Sequence, residues 1–212
     1  MNNRKIALID HKCANLHSVI KVLELLRVEV QICTSIKDLE DVKGIILPGV
    51  GSFDTAMKNL KKQNLIEPLG NMVLSGTPIL GICLGMQLLM ETSEEGSLKG
   101  LGLIKGTNKI LASPNKQIKI PHMGWNNIEI KPGKNSRILF GIKNREYFYF
   151  VHSYKCVLVN NSDMVASTSY GQEICAVIET GNIFATQFHP EKSGEIGIEI
   201  YKNFIYLIEN KT

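Results

Sequence analysis

The first eighty residues alternate between short apolar runs and longer stretches with helical periodicity. Lys5–Ile9 is an apolar run closing at Asp10, the pattern of a strand buried on both faces of a parallel sheet. Asn15 is placed to cap the helix that follows. In that helix Leu16, Val19, Ile20, Leu23 and Leu26 recur at helical spacing, with Lys21 and Glu24 on the other side. Residues 28–32 alternate and predict a second strand. Gly44–Leu47 predicts a third, stopped by Pro48-Gly49, and residues 78–82 a fourth. Strand, helix and strand at these intervals predict βαβ units around a parallel sheet.

From about residue 102 the texture changes. Strand-like runs at 125–130, 147–151, 174–178 and 183–187 are separated by turn pairs such as Pro132-Gly133, Asn160-Asn161 and Gly181-Asn182. This half predicts antiparallel or mixed pairing. A helix after Ser193 closes the chain, with Ile198, Tyr201, Phe204, Ile205 and Ile208 on one face. There is no internal repeat, low-complexity tract or linker, so residues 1–212 predict a single α/β domain.

Composition narrows the function classes. With 44% hydrophobic residues, the 212-residue chain can bury a full core without disulfides or metals. Its net charge is +4 and the lysines are scattered, which argues against a nucleic-acid footprint. Five cysteines form no C-x-x-C pair and no metal-ligand spacing, which suits free thiols in a reducing cytoplasm. Met1-Asn2-Asn3-Arg4-Lys5 leads into a strand-like run rather than the apolar core of a signal peptide. No apolar stretch approaches the ~20 residues of a membrane span. The expectation is a soluble, cytoplasmic protein.

The strongest chemical signal is Gly81-Ile82-Cys83-Leu84-Gly85, set between an apolar strand and an apolar helix. A sharp strand-to-helix turn crowds its middle residue, and flanking glycines relieve the crowding, as in a nucleophile elbow. Cys83 would then sit at a helix start, where the dipole favours a thiolate. The alternative is a small buried cysteine at a strand–helix junction. A nucleophile of this kind wants a histidine base, and the histidine wants an acceptor to fix its tautomer. His189 follows the 183–187 run, and Pro190 keeps it extended, so that Glu191, two residues on, can point the same way. His11, His17, His122 and His152 have no comparable neighbour and read as structural or surface residues, although His122 and His152 could line a site. Attack on an amide also needs N–H donors for the developing oxyanion. Leu84 offers one, and the glycine turn Pro48-Gly49-Val50-Gly51-Ser52-Phe53 could offer another. No Gly-Lys-Ser/Thr follows that turn, which argues against a Walker-type phosphate loop.

Five blocks spread over nearly the whole chain carry a resemblance: 47–53, 81–87, Pro121-His122-Met123-Gly124-Trp125-Asn126, Phe150-Val151-His152-Ser153-Tyr154, and Gln187-Phe188-His189-Pro190-Glu191-Lys192-Ser193. Together they resemble the class I (triad) glutamine amidotransferases. The Pro-Gly-Val-Gly and Pro-His-Met-Gly-Trp-Asn blocks narrow this to the branch of glutaminase subunits that serve imidazole glycerol phosphate synthases. The resemblance implies a three-layer, flavodoxin-like fold: a mixed, mainly parallel central sheet flanked by helices, with a smaller antiparallel sheet in the second half. It implies Cys83, His189 and Glu191 as the triad, Val50 and Leu84 as oxyanion donors, and no need of a metal or organic cofactor. Gly51, Gln87, Ser153 and Tyr154 would bind glutamine. Ammonia would pass to a (β/α)8-barrel cyclase in a heterodimer, with Asn15, Trp125, Asn126 and Lys192 at or near the interface. That cyclase would use it to make imidazole glycerol phosphate and AICAR in histidine biosynthesis.

One block departs from the family pattern. Where the family has Asp-Tyr-Gly-x-Gly-Asn-Leu after the first strand, this chain has Asp10-His11-Lys12-Cys13-Ala14-Asn15-Leu16. The loop borders the partner in the family. Its change therefore leaves open a paralogue feeding a different synthase, for example in amidino-sugar formation. Two further alternatives are a catalytically silent subunit that only interacts, and a stand-alone hydrolase of γ-glutamyl or peptide bonds. The intact Cys83, His189 and Glu191 argue against the first, and the partner-docking block against the second.

Overall fold

In the computed structural model, which describes residues 5–113 and 118–210, the chain forms three layers around an eight-stranded sheet. Residues 1–4, which open the stretch weighed as a signal peptide, lie outside the described part. The strands are β1 (Lys5–Ile9), β2 (Glu29–Cys33), β3 (Gly44–Leu47), β4 (Ile79–Ile82), β5 (Met90–Ser93), β6 (Ile104–Ile110), β7 (His122–Asn127), β8 (Glu129–Ile130), β9 (Tyr147–His152), β10 (Tyr154–Leu158), β11 (Met164–Ser169), β12 (Glu173–Thr180) and β13 (Ile183–Thr186). The helices are α1 (Leu16–Leu25), α2 (Phe53–Lys62), α3 (Ile66–Leu74), α4 (Leu84–Leu88) and α5 (Gly194–Glu209).

The main sheet runs β2-β1-β3-β4-β13-β12-β11-β8. Its first five strands are parallel and the last three pair antiparallel. Alternate residues of β1 enter two separate cores: Ala7 and Ile9 face α2, α3 and α4, while Ile6 and Leu8 face α1 and α5. Burial on both faces explains why the parallel strands read as unbroken apolar runs. The expected mixed, mainly parallel sheet between helical layers is thus the observed fold.

Several details differ from expectation. The run 125–130 is two strands, because Ile128 turns into the core between β7 and β8. Asn15 stands at the start of α1 but its side chain makes no capping bond. On α5 it is Ile200 that is fully buried, whereas Ile198 is half-buried. The smaller sheets are a β7–β9 hairpin-like pair and a β10-β6-β5 sheet, in which β5 and β6 are parallel rather than antiparallel. β5, β6, β10 and β11 left no clear apolar signal, since polar residues such as Lys105, Asn108 and Lys155 interrupt them.

Candidate active site

Three neighbouring parallel strands end at one edge of the sheet, and each delivers one of the predicted motifs there. The register pairs Leu47 of β3 with Gly81 of β4, and Ile82 of β4 with Thr186 of β13. The next residues are therefore neighbours: the turn from Pro48, Cys83, and Gln187 to His189. This is the carboxyl edge of the parallel strands, where open α/β sheets place their ligands. The Cys83 N–H donates to the Thr186 carbonyl at 2.8 Å. Cys83 itself has φ 53° and ψ −105°, an uncommon conformation for a non-glycine residue and the sharp elbow its flanking glycines foretold. Gly85 has a distinct reason. A Cβ there would lie 1.7 Å from the Leu47 carbonyl oxygen, so only glycine lets α4 rest against β3.

His189 is held from both sides. Its N–H donates to the Tyr149 carbonyl at 2.9 Å, and its carbonyl accepts from the Ser193 hydroxyl at 2.7 Å. Its Nδ1 lies 2.7 Å from Glu191 Oε1. The carboxylate accepts, so Nδ1 carries a hydrogen, and Nε2 is the nitrogen free to take up or release a proton. That Nε2 is buried, makes no regular hydrogen bond, and faces the Cys83 sulfur. Burial alone would lower the His189 pKa. The facing sulfur, and then the Glu191 carboxylate, reverse this and raise it to about 10. Tyr201 of α5 backs the carboxylate, with its hydroxyl 3.5 Å from Glu191 Oε2. Burial and that carboxylate push the Tyr201 pKa well above its usual value. The structure brings Cys83, His189 and Glu191 together, though not by the expected route. Residues Pro190–Lys192 form a 3₁₀ turn rather than an extension, and the turn carries the Glu191 carboxylate back to the imidazole.

The two expected oxyanion donors are near the sulfur in sequence and register but both are occupied. Leu84 N–H donates to the Gly49 carbonyl at 3.3 Å, and Val50 N–H donates to the Cys13 carbonyl at 2.8 Å. The turn is thus rotated so that a carbonyl, not an N–H, meets the start of α4. His11, fully buried, adds a contact of 2.7 Å between its Nε2 and the Pro48 carbonyl. Gly51 has φ 89° and is exposed, as are Val50 and Ser52.

Of the residues expected to bind glutamine, Gln87 and Tyr154 are joined to each other. Gln87 is buried and its Nε2 donates to the Tyr154 carbonyl at 3.1 Å, while the Ser153 carbonyl accepts from Leu111 N–H at 2.8 Å. The residues expected at a partner surface divide. Trp125 is 57% exposed, with its ring 6.2 Å from that of Tyr149, and Lys192 sits 5.9 Å above the Tyr149 ring. Met123 and Tyr147 add exposed apolar surface on the same two strands. Asn126 points the other way: its amide donates to Ser169 O at 2.9 Å and lies 3.2 Å from His122 Nε2. Asn15 is exposed on the loop after β1.

Sequence reasoning missed part of this cluster. His122 and His152 are buried partners, with Nδ1 of the first 2.9 Å from Nε2 of the second, and His122 stacks between Phe150 and Tyr170. The pairing of β7 with β9 sets them opposite each other, a register no local pattern reveals. Gln187 lay inside a motif block without a role. Its signal was available: a polar side chain just beyond an apolar strand that pairs with the cysteine strand. Among the described residues no group of histidine, cysteine and carboxylate side chains could hold a metal ion. A cavity at the opposite end of the sheet, lined by Pro78, Asn182 and Tyr206, contains none of the residues expected to do chemistry.

Comparison with known proteins agrees with this geometry. The family model described as "Glutamine amidotransferase class-I" matches residues 7–208. An imidazole glycerol phosphate synthase subunit HisH from Prochlorococcus marinus subsp. pastoris is 45% identical over 206 residues, covering 97% of this chain and 99% of that relative. The subunit of the same name from Methanocaldococcus jannaschii is 47% identical, covering 96% of this chain and all of that relative. Among solved structures, a GMP synthase protein from Thermoplasma acidophilum superposes with a TM-score of 0.73 at 21% identity, covering 98% of this chain and 95% of that one. The PurLQS structure from Thermotoga maritima gives 0.75 at 18% identity, covering 96% and 98%. At such identities these two speak for the fold alone. The family match spans nearly the whole chain and every block that carries the chemistry: the chain belongs to the class I glutamine amidotransferases.

Proposed function

We propose that this chain is the glutaminase subunit of an imidazole glycerol phosphate synthase, hydrolysing L-glutamine to L-glutamate and ammonia and passing the ammonia to a (β/α)8-barrel cyclase in the cytoplasm. The observation that carries the chemistry is the buried row of Cys83 sulfur, His189 imidazole and Glu191 carboxylate at the carboxyl edge of the sheet. Cys83 attacks the side-chain amide carbon of glutamine. The charge on the amide oxygen collects on the Leu84 and Val50 N–H groups once the turn rotates to release them. His189, its Nδ1–H held by Glu191, takes the Cys83 thiol proton on Nε2 and gives it to the departing ammonia, leaving a thioester on Cys83. It then takes a proton from water, which attacks the thioester and frees glutamate and the sulfur.

The occupied donors favour a subunit that works with a partner. Free ammonia is lost to water, so a site that waits for its acceptor limits waste. The cluster of exposed Trp125 and Lys192 about the half-buried Tyr149 adjoins His189 directly, since Tyr149 O accepts the His189 N–H. The high identity to HisH subunits over full length favours the cyclase of histidine biosynthesis as acceptor. A second reading keeps the chemistry and changes the acceptor. It draws on the altered loop, where Lys12 adopts φ 63° and pairs with Asp10 at 2.6 Å, in place of a family glycine. Ammonia release from glutamine, measured with and without the cyclase, tests the proposal. Stimulation by that cyclase is expected; a chain that hydrolyses glutamine yet neither binds nor responds to it supports the second reading.

A further inference from the structure

Gln187 lies one residue beyond β13 and is wholly buried. Its Nε2 lies 3.8 Å from the Cys83 sulfur, and its Oε1 lies 3.4 Å from Gln87 Nε2. Which end of an amide faces which neighbour is decided by the neighbours' own capacities. Here one main-chain carbonyl decides it. Tyr154 O can only accept, and two side chains donate to it: Gln87 Nε2 at 3.1 Å and His152 Nδ1 at 2.8 Å. Gln87 therefore turns its NH₂ toward Tyr154 and gives its second hydrogen to Gln187 Oε1. That leaves the Gln187 NH₂ directed at sulfur.

The other branch from the same carbonyl is equally constrained. His152 carries its hydrogen on Nδ1, so its Nε2 accepts from His122 Nδ1, and His122 Nε2 accepts from Asn126. Burial lowers the His122 pKa to about 4 and that of His152 to about 3, so both stay neutral at physiological pH and keep these tautomers. The branch thus pins the carbonyl that orients Gln87 and, through it, Gln187.

The two contacts of the sulfur respond oppositely to ionisation. The Val151 carbonyl, 3.6 Å away, can be satisfied only by a thiol S–H. A donating amide instead gains strength when its acceptor becomes an anion. We propose that Gln187 is a further catalytic residue, whose side-chain N–H donates to the Cys83 sulfur and stabilises both the attacking thiolate and the thiolate expelled when the thioester is hydrolysed. This rests on the reading of Cys83 as the nucleophile.

The test is the pH profile of Cys83 alkylation by iodoacetamide in the full chain, read at the Cys83 peptide by mass spectrometry, for the wild type and Gln187→Met. Methionine keeps the length of the side chain and removes the donor. The midpoint is expected to rise by about one pH unit, with alkylation about ten-fold slower below it and an unchanged plateau above it. A folded variant with the wild-type midpoint overturns the proposal. Should Gln187→Met not fold, the wild-type protein decides: the Gln187 side-chain amide resonances are expected to follow the Cys83 titration and to stay flat in Cys83→Ala. Flat resonances in the wild type overturn the proposal. The nucleophile reading fails separately, if alkylation of Cys83 leaves ammonia release from glutamine intact.

Discussion

The turn after β4 and the turn after β3 leave neighbouring strands at the same edge, yet one is set for chemistry and the other is not. The first is fixed by the sheet itself. Cys83 is tied to Thr186, α4 rests on Leu47 through Gly85, and His189 is held by Tyr149 and Ser193. The second is surface-exposed at Val50, Gly51 and Ser52 and is held by a few contacts to Cys13, His11 and the start of α4. Breaking its two main-chain hydrogen bonds costs on the order of 1–3 kcal/mol, since each is worth about 0.5–1.5 kcal/mol net. Docking of a partner can supply that amount. On the proposed mechanism, the fold builds its nucleophile into the core and leaves the oxyanion site to be switched.

The comparison can be broken most sharply at the nucleophile. Cys83→Ala is expected to abolish ammonia release from glutamine while thermal unfolding stays near that of the wild type; residual turnover would remove Cys83 from the mechanism. Next, Glu191→Gln should lower turnover by roughly 10²–10⁴-fold and spare the remainder, because the residue orients the base and does not react. A loss as complete as that of Cys83→Ala would give it a larger part. The rotated turn predicts low basal turnover that rises about 10²–10³-fold when the cyclase binds, the worth of an oxyanion donor. Trp125→Ala should weaken cyclase binding by roughly 30-fold, about 2 kcal/mol, as measured by calorimetry, and change the KM for glutamine far less.

The smallest effect concerns stability. His122 and His152 have folded pKa values depressed to about 4 and 3, below the ~6.5 of an unfolded histidine. The unfolded chain thus binds more protons below pH 6.5, and the native state loses stability as pH falls from there toward 3. His189 acts in the opposite sense: raised to about 10, its contribution is complete below pH 6.5 and fades as pH climbs toward 10. Melting curves between pH 7 and 4 should fall less steeply in His122→Leu than in the wild type. Parallel curves would show that this pair is not what couples folding to acid.

Much of the parallel half was legible because its strands are buried on both faces and therefore uninterrupted in sequence. Gly44–Leu47 and Lys5–Ile9 appear with the bounds their apolar runs announced. The Cys83 elbow was legible for a related reason: close approaches at Gly81 and Gly85 leave no room for a Cβ, and both glycines are visible in the sequence. The second half was harder. Strands such as β6 and β10 expose alternate polar residues on small sheets, and their partners lie far apart in sequence. The state of the oxyanion turn could not be read at all. A peptide rotated either way uses the same glycines, and its position is set by carbonyls of Cys13 and Gly49 that carry no side-chain signature. The Gln187 amide and the His122–His152 pair share this property, since tertiary register alone creates them.

The central claim is that the Cys83–His189–Glu191 row is assembled while the oxyanion turn is not. The most direct test measures, in one preparation, the rate of Cys83 alkylation by iodoacetamide at pH 7 and the rate of ammonia release from glutamine, each with and without the cyclase. The structure predicts that alkylation changes little while ammonia release rises about 10²–10³-fold. A parallel rise of both would contradict it, because the nucleophile itself would then be what the partner creates.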